Sequence, residues 1–119
     1  MYSSLGFIYD NAKEFNDTSL AIEFYSKAIG LDGNSYQTFI NRGGVYKDTG
    51  RYEEAISDFQ IAVKLALDQN RPVSVIKRLY IQILFMEFDL GKKENIIETY
   101  EKIKEIDPDY KNTTAESYY

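Results

Sequence analysis

One spacing of small and apolar residues recurs along the chain, and that recurrence limits the fold more than any other feature. Ala21, Ile22, Tyr25, Ala28 and Ile29 step by one, three, three and one, which places them on one face of a helix. Ala55, Ile56, Phe59, Ala62 and Val63 repeat those steps 34 residues later. A lone helix pair cannot bury such a face, so a period of this length predicts a row of like units leaning on one another. A third copy, Ile96, Ile97, Tyr100 and Ile103, follows the second by 41 residues. The seven extra residues lie between Asn70 and Ile76, around Pro72. Seven residues turn a helix to within about 20° of two full turns. Two readings therefore stand open: the helix after Pro72 starts two turns early with its face unchanged, or the loop at 69–72 is longer.

Local signals agree with helices throughout. Asp17-Thr18-Ser19 supplies side-chain oxygens for a helix start, and Leu31-Asp32-Gly33-Asn34 reads as a helix exit. The spacing predicts helices over about 2–14, 18–30, 35–49, 52–68, 72–90 and 93–106. The remainder, 110–119, is expected to be a tail or the start of a truncated capping helix. A cover is physically wanted there, because Ile97, Tyr100 and Ile103 otherwise face water.

Composition removes most chemistry. The chain has 119 residues, about one domain's worth, and 44% hydrophobic residues, too many for a disordered polymer. With no cysteine there is no disulfide framework, thiolate zinc site or cysteine nucleophile. With no histidine the usual general base and metal ligand are gone as well. A net charge of −5 opposes binding to a phosphate backbone, so no nucleic-acid partner is expected. The apolar run Leu79 to Met86 is broken by Gln82 and is far short of a membrane span, so no membrane role is expected. Met1-Tyr2-Ser3-Ser4 lacks the basic and apolar regions of a secretory signal, and a cytoplasmic location is expected. The carboxylates Glu53, Glu54, Glu98, Glu101 and Glu105 lie opposite the apolar stripes, on solvated faces. Gly91-Lys92-Lys93 lacks the glycine spacing of a phosphate loop, and Asp107-Pro108-Asp109 is far short of a calcium loop. No catalytic residue, metal ligand or cofactor is expected, and the chain is read as a non-enzyme.

At this point the residues resemble a known family. Tyr2-x-x-Leu5-Gly6-x-x-Tyr9, then Ala21, Tyr25 and Ala28, is similar to the tetratricopeptide repeat (TPR) signature, with Tyr2 where the family has tryptophan. The second copy matches at Phe39, Gly43, Tyr46, Gly50, Tyr52, Ala55, Phe59 and Ala62. The third matches at Tyr80, Ile83, Gly91, Tyr100 and Pro108, but has Glu87 in place of an aromatic and Ile96 and Ile103 in place of alanine. The resemblance covers residues 1 to about 110. It implies an all-α fold, a TPR-like right-handed solenoid of three antiparallel helix pairs at about 1–34, 35–69 and 70–109.

The resemblance also implies that the first helix of each pair lines a concave groove. The groove candidates are Phe7 and Asp10 in the first copy, Gln37, Ile40, Asn41 and Asp48 in the second, and Arg78, Ile81, Gln82, Phe85 and Asp89 in the third. For Ile81, Phe85 and Phe88 an ordinary core role is the competing reading. Apolar residues rimmed by polar ones mark partner sites, and Asp10, Asp48 and Asp89 recur at the far end of each first helix. The expected function is protein–protein interaction: a partner peptide or amphipathic helix, apolar with some positive charge, docks in the groove. The alternative is a self-associating scaffold whose groove or last pair is covered by another copy or by its own tail. Some TPR domains grip a chaperone's terminal carboxylate with lysine, asparagine and arginine side chains. Those positions fall here on Ser3, Phe7, Asn41, Arg78 and Gln82, of which two fit, so a chaperone-tail clamp is not expected.

Overall fold

A computed structural model describes residues 18–119, and among them every regular element is a helix. The elements are α1 (Thr18–Leu31), α2 (Tyr36–Asp48), α3 (Tyr52–Asp68), α4 (Val73–Leu90), α5 (Lys93–Ile106) and a short α6 (Thr113–Glu116). The five long helices start and stop within one residue of the expected spans. The expected helix over 2–14, with Phe7 and Asp10, lies outside the described residues. The chain divides into two compact units between Leu65 and Ala66.

In the first unit α1 packs on α2. Ala21, Tyr25 and Val45 are sealed from solvent there, with Ile22 against them. Where α2 meets α3 the approach is close because position 43 has no side chain. A Cβ on Gly43 would stand 3.1 Å from Phe59 Cε1 and 3.2 Å from Asp58 Cβ, tighter than ordinary contact. Ser35 caps α2 by accepting from the Thr38 amide at 3.3 Å. At the other end Gly50 takes φ +79°, and the Arg51 amide donates back to the Tyr46 carbonyl at 2.8 Å. That left-handed residue closes the last turn and reverses the chain within three residues.

The second unit is built around α4, α5 and α6. Leu84, Ile96, Tyr100, Ile103 and Ala115 form its sealed centre, and Tyr80, Ile81, Phe88, Tyr110 and Tyr118 pack around them. Of the two readings of the insertion, the helical one holds: α4 has 18 residues against 13 in α2. Asn70, at φ +55°, ends α3, with the Arg71 amide donating to the Ala66 carbonyl at 2.9 Å. Pro72, whose ring fixes φ near that of a helix, then leads directly into α4.

The tail forms a short cover on α5. Asn112 caps α6 by accepting from the Ala115 amide at 2.9 Å. Tyr100 is its anchor. Its hydroxyl donates to Glu116 Oε2 at 2.7 Å and accepts from the Asn112 amide at 3.3 Å. Its ring lies 6.0 Å from the rings of both Tyr110 and Tyr119. Ala115 is thereby fully buried against Ile96, Tyr100 and Ile103 of α5.

Candidate interaction surface

Each unit carries one exposed face of a first helix. On α2, Gln37 and Asn41 stand one turn apart, and Gln37 Nε2 donates to Asn41 Oδ1 at 3.1 Å. Ile40 and Asn41 are half-buried, and Asp48 is exposed in the last turn. That face is polar, with one aliphatic side chain and one carboxylate. On α4 the exposed row runs Arg78, Phe85 and Asp89, with Ile81 and Gln82 half-buried beside it. Ile81 leans into the sealed centre of the unit, so it serves both the core and the rim of this face.

Phe85 differs from its neighbours. It is 51% exposed, yet its ring sits 5.9 Å from Phe88. Phe88 is in turn stacked on Tyr118, at 6.4 Å and 12° between planes. An exposed phenylalanine on an aromatic support is held in place, so little side-chain freedom is left to lose when a partner covers it.

The sequence reading missed two buried polar arrangements. Arg42 makes a two-pronged ion pair with Asp58, both contacts 2.8 Å, and its third prong reaches Ser26 Oγ at 3.1 Å. One guanidinium thus ties α1, α2 and α3, with the Asp58 side chain only 3% exposed. These hydrogen bonds to Asp58 hold the Arg42 guanidinium above its ordinary pKa. The sequence carries no signal for this bond, because Asp58 lies off the apolar stripe of Ala55, Ile56, Phe59, Ala62 and Val63. In the second unit Glu87 is 1% exposed, bonded by Thr99 at one oxygen, while Oε1 has no hydrogen-bond partner. Burial pushes its carboxyl above the usual range, and the nearby Glu98 adds to the effect. Lys77 donates to Asp107 at 2.6 Å and holds that carboxyl below the usual range.

Among the described residues no cluster of His, Cys, Asp and Glu is arranged to hold a metal, and no helix is long and apolar enough to cross a membrane. The tetratricopeptide repeat family matches residues 36–69 and 78–110, more than half of the chain. The chain belongs to the tetratricopeptide repeat family. It is 31% identical over 99 residues to small glutamine-rich tetratricopeptide repeat-containing protein 2 of Mycosarcoma maydis, a match covering 83% of this chain and 26% of that protein. The chain therefore spans about a quarter of that relative's length. Among solved structures, the N-terminal domain of stress-induced protein-1 from C. elegans aligns with a TM-score of 0.79 at 14% identity, covering 98% of this chain and 96% of that one. The first TPR of Spaghetti (RPAP3), bound to the HSP90 peptide SRMEEVD, aligns at 0.67 with 23% identity, over 98% of this chain and 82% of that one. At these identities the likeness shows the fold, that of the TPR helical array.

Proposed function

We propose that this TPR segment is a non-enzymatic docking module whose α2 and α4 faces each offer a surface to a peptide or amphipathic helix of a partner protein. The observation that carries the reading is Phe85, an exposed aromatic held by Phe88 and Tyr118 on a face otherwise polar. Asp48 and Asp89, exposed near the ends of α2 and α4, favour a guest with positive charge beside its apolar anchors. The expected setting is the cytoplasm.

The solved relative bound to SRMEEVD suggests a chaperone tail as one guest class. The faces described here oppose that choice. Gripping a terminal carboxylate calls for several cations, whereas the α2 face offers neutral Gln37 and Asn41 and the α4 face offers only Arg78. Calorimetry with an MEEVD peptide should show no micromolar binding. Micromolar binding that Asn41→Ala abolishes would replace this reading with a carboxylate clamp. The broader proposal is tested by affinity capture with the wild type and with Ile40→Glu plus Phe85→Glu. Loss of the same partners from the double variant supports it, and their full retention rejects the α2 and α4 faces.

A further inference from the structure

An open cavity lies between α5 and the C-terminal segment, and none of the α2 or α4 docking residues lines it. Its walls are Tyr100, Glu101, Lys104, Glu105, Glu116 and Tyr119. Its volume of about 730 Å³ falls within the roughly 300–1,000 Å³ typical of ligand sites. Two features of these walls point to a cationic guest.

The first is aromatic. Tyr100 and Tyr119 meet edge to face, with 78° between their planes. Tyr100 is fixed by its hydrogen bonds to Glu116 and Asn112, while Tyr119 is 65% exposed and offers a ring to a visitor. Lys104 Nζ already stands 5.4 Å from the centre of the Tyr100 ring, so the aromatic electrons in this cavity draw a cation from the chain itself.

The second is charge. Three other exposed glutamates on these helices are neutralised locally: Glu23 by Lys27, Glu54 by Arg51 and Glu98 by Lys102. Glu94, Glu101 and Glu105 on α5 are not, and of these Glu101 and Glu105 line the cavity. Those two stand one turn apart on the cavity wall, with no ion pair among the described residues, so two like charges face each other there. With Glu116 the walls carry three carboxylates against one ammonium. The three do not form a metal-holding group.

We infer that this cavity receives an arginine side chain from a basic segment of a partner protein. The guanidinium stacks on the Tyr119 ring and its N–H groups pair with Glu101 and Glu105. A planar, weakly hydrated guanidinium both stacks and bonds in two prongs, which an ammonium cannot do, so arginine is favoured over lysine.

The test is a titration of the ¹⁵N-labelled chain with acetyl-Gly-Gly-Arg-Gly-Gly-amide, followed by backbone amide shifts. The comparison peptides carry lysine or citrulline at the centre; citrulline keeps the shape of arginine without its charge. Expected are saturable shifts confined to residues 100–105 and 116–119, with arginine binding at least fivefold tighter than either comparison peptide. Glu101→Gln with Glu105→Gln, and separately Tyr119→Ala, should each weaken arginine binding at least fivefold while leaving the other amide positions unshifted. Equal affinity for the citrulline or lysine peptide, shifts elsewhere, or undiminished binding by those variants would overturn the assignment.

Discussion

The second and third helix pairs share a spacing but are held together differently. Where α2 meets α3, Gly43 and Ala55 keep the seam thin and Phe59 fills it. In the third pair the same positions, 41 residues on, are Leu84, Ile96 and Tyr100, all sealed from solvent. Arg42 and Asp58, which bolt the second pair, become Ile83 and Thr99, and Tyr46 becomes Glu87. One pair therefore uses small residues and a satisfied ion pair. The other uses bulky aliphatics and retains a carboxyl that its surroundings satisfy only in part. The period fixes where the helices lie, and the seam tolerates two kinds of filling.

Breaking the bolt tests this contrast hardest. Arg42→Ala strands the buried Asp58 carboxylate and should cost about 3–5 kcal/mol in urea unfolding. Copying the third pair, Arg42→Ile with Asp58→Thr, should recover more than half of that loss, because no charge is then left buried alone. A double variant as weak as Arg42→Ala would show that the two seams are not alternatives.

The thin seam comes next. Gly43→Ala drives a methyl group against Phe59, which is buried, and against Asp58, which is held by Arg42. It should lose about 1–2 kcal/mol even though alanine gains about 1 kcal/mol as a helix former. Gly44→Ala meets nothing within 4 Å and should gain up to about 1 kcal/mol by helix propensity alone. Opposite signs at adjacent glycines, read from thermal or urea unfolding, sharpen the claim that only position 43 is a contact.

Glu87 makes the third pair sensitive to pH. Its folded pKa is raised, so the folded chain binds more protons than the unfolded one above the usual carboxylate range. Stability should fall as pH rises from that range through the folded pKa. Glu87→Gln should remove this slope, leaving the urea-unfolding stability flat over the same pH range. Asp107 works in the opposite sense. Its lowered pKa lends stability above the ordinary carboxylate range that is lost in acid, and Lys77→Met should blunt that acid loss. The smallest effect is at the surface: Phe85→Glu gives up only the ring contact with Phe88, should cost about 1 kcal/mol or less, and should weaken partner capture.

The helices were legible because they rest on periodicity, breakers and caps, which are local. The Pro72 insertion was open in the sequence because a turn count alone does not separate helix from loop. The left-handed Asn70 ends α3 first, and Pro72 then starts α4. The Arg42–Asp58 bond was not legible. It joins residues 16 apart whose types suit solvent equally well, and only the close approach at Gly43 brings them together. The α4 face was partly legible. Its spacing placed Ile81 and Phe85 on one side, but the difference between the half-buried Ile81 and the exposed Phe85 depends on how α5 and the tail pack beneath them.

Docking of partners on α2 and α4 is the proposal on which the function rests. A photo-crosslinking residue at position 40 or 85, compared with one at the exposed Gln60 on α3, tests it most directly. A discrete protein adduct is expected from 40 and 85 and none from 60. Adducts from 60 alone, or equally from all three, would contradict it.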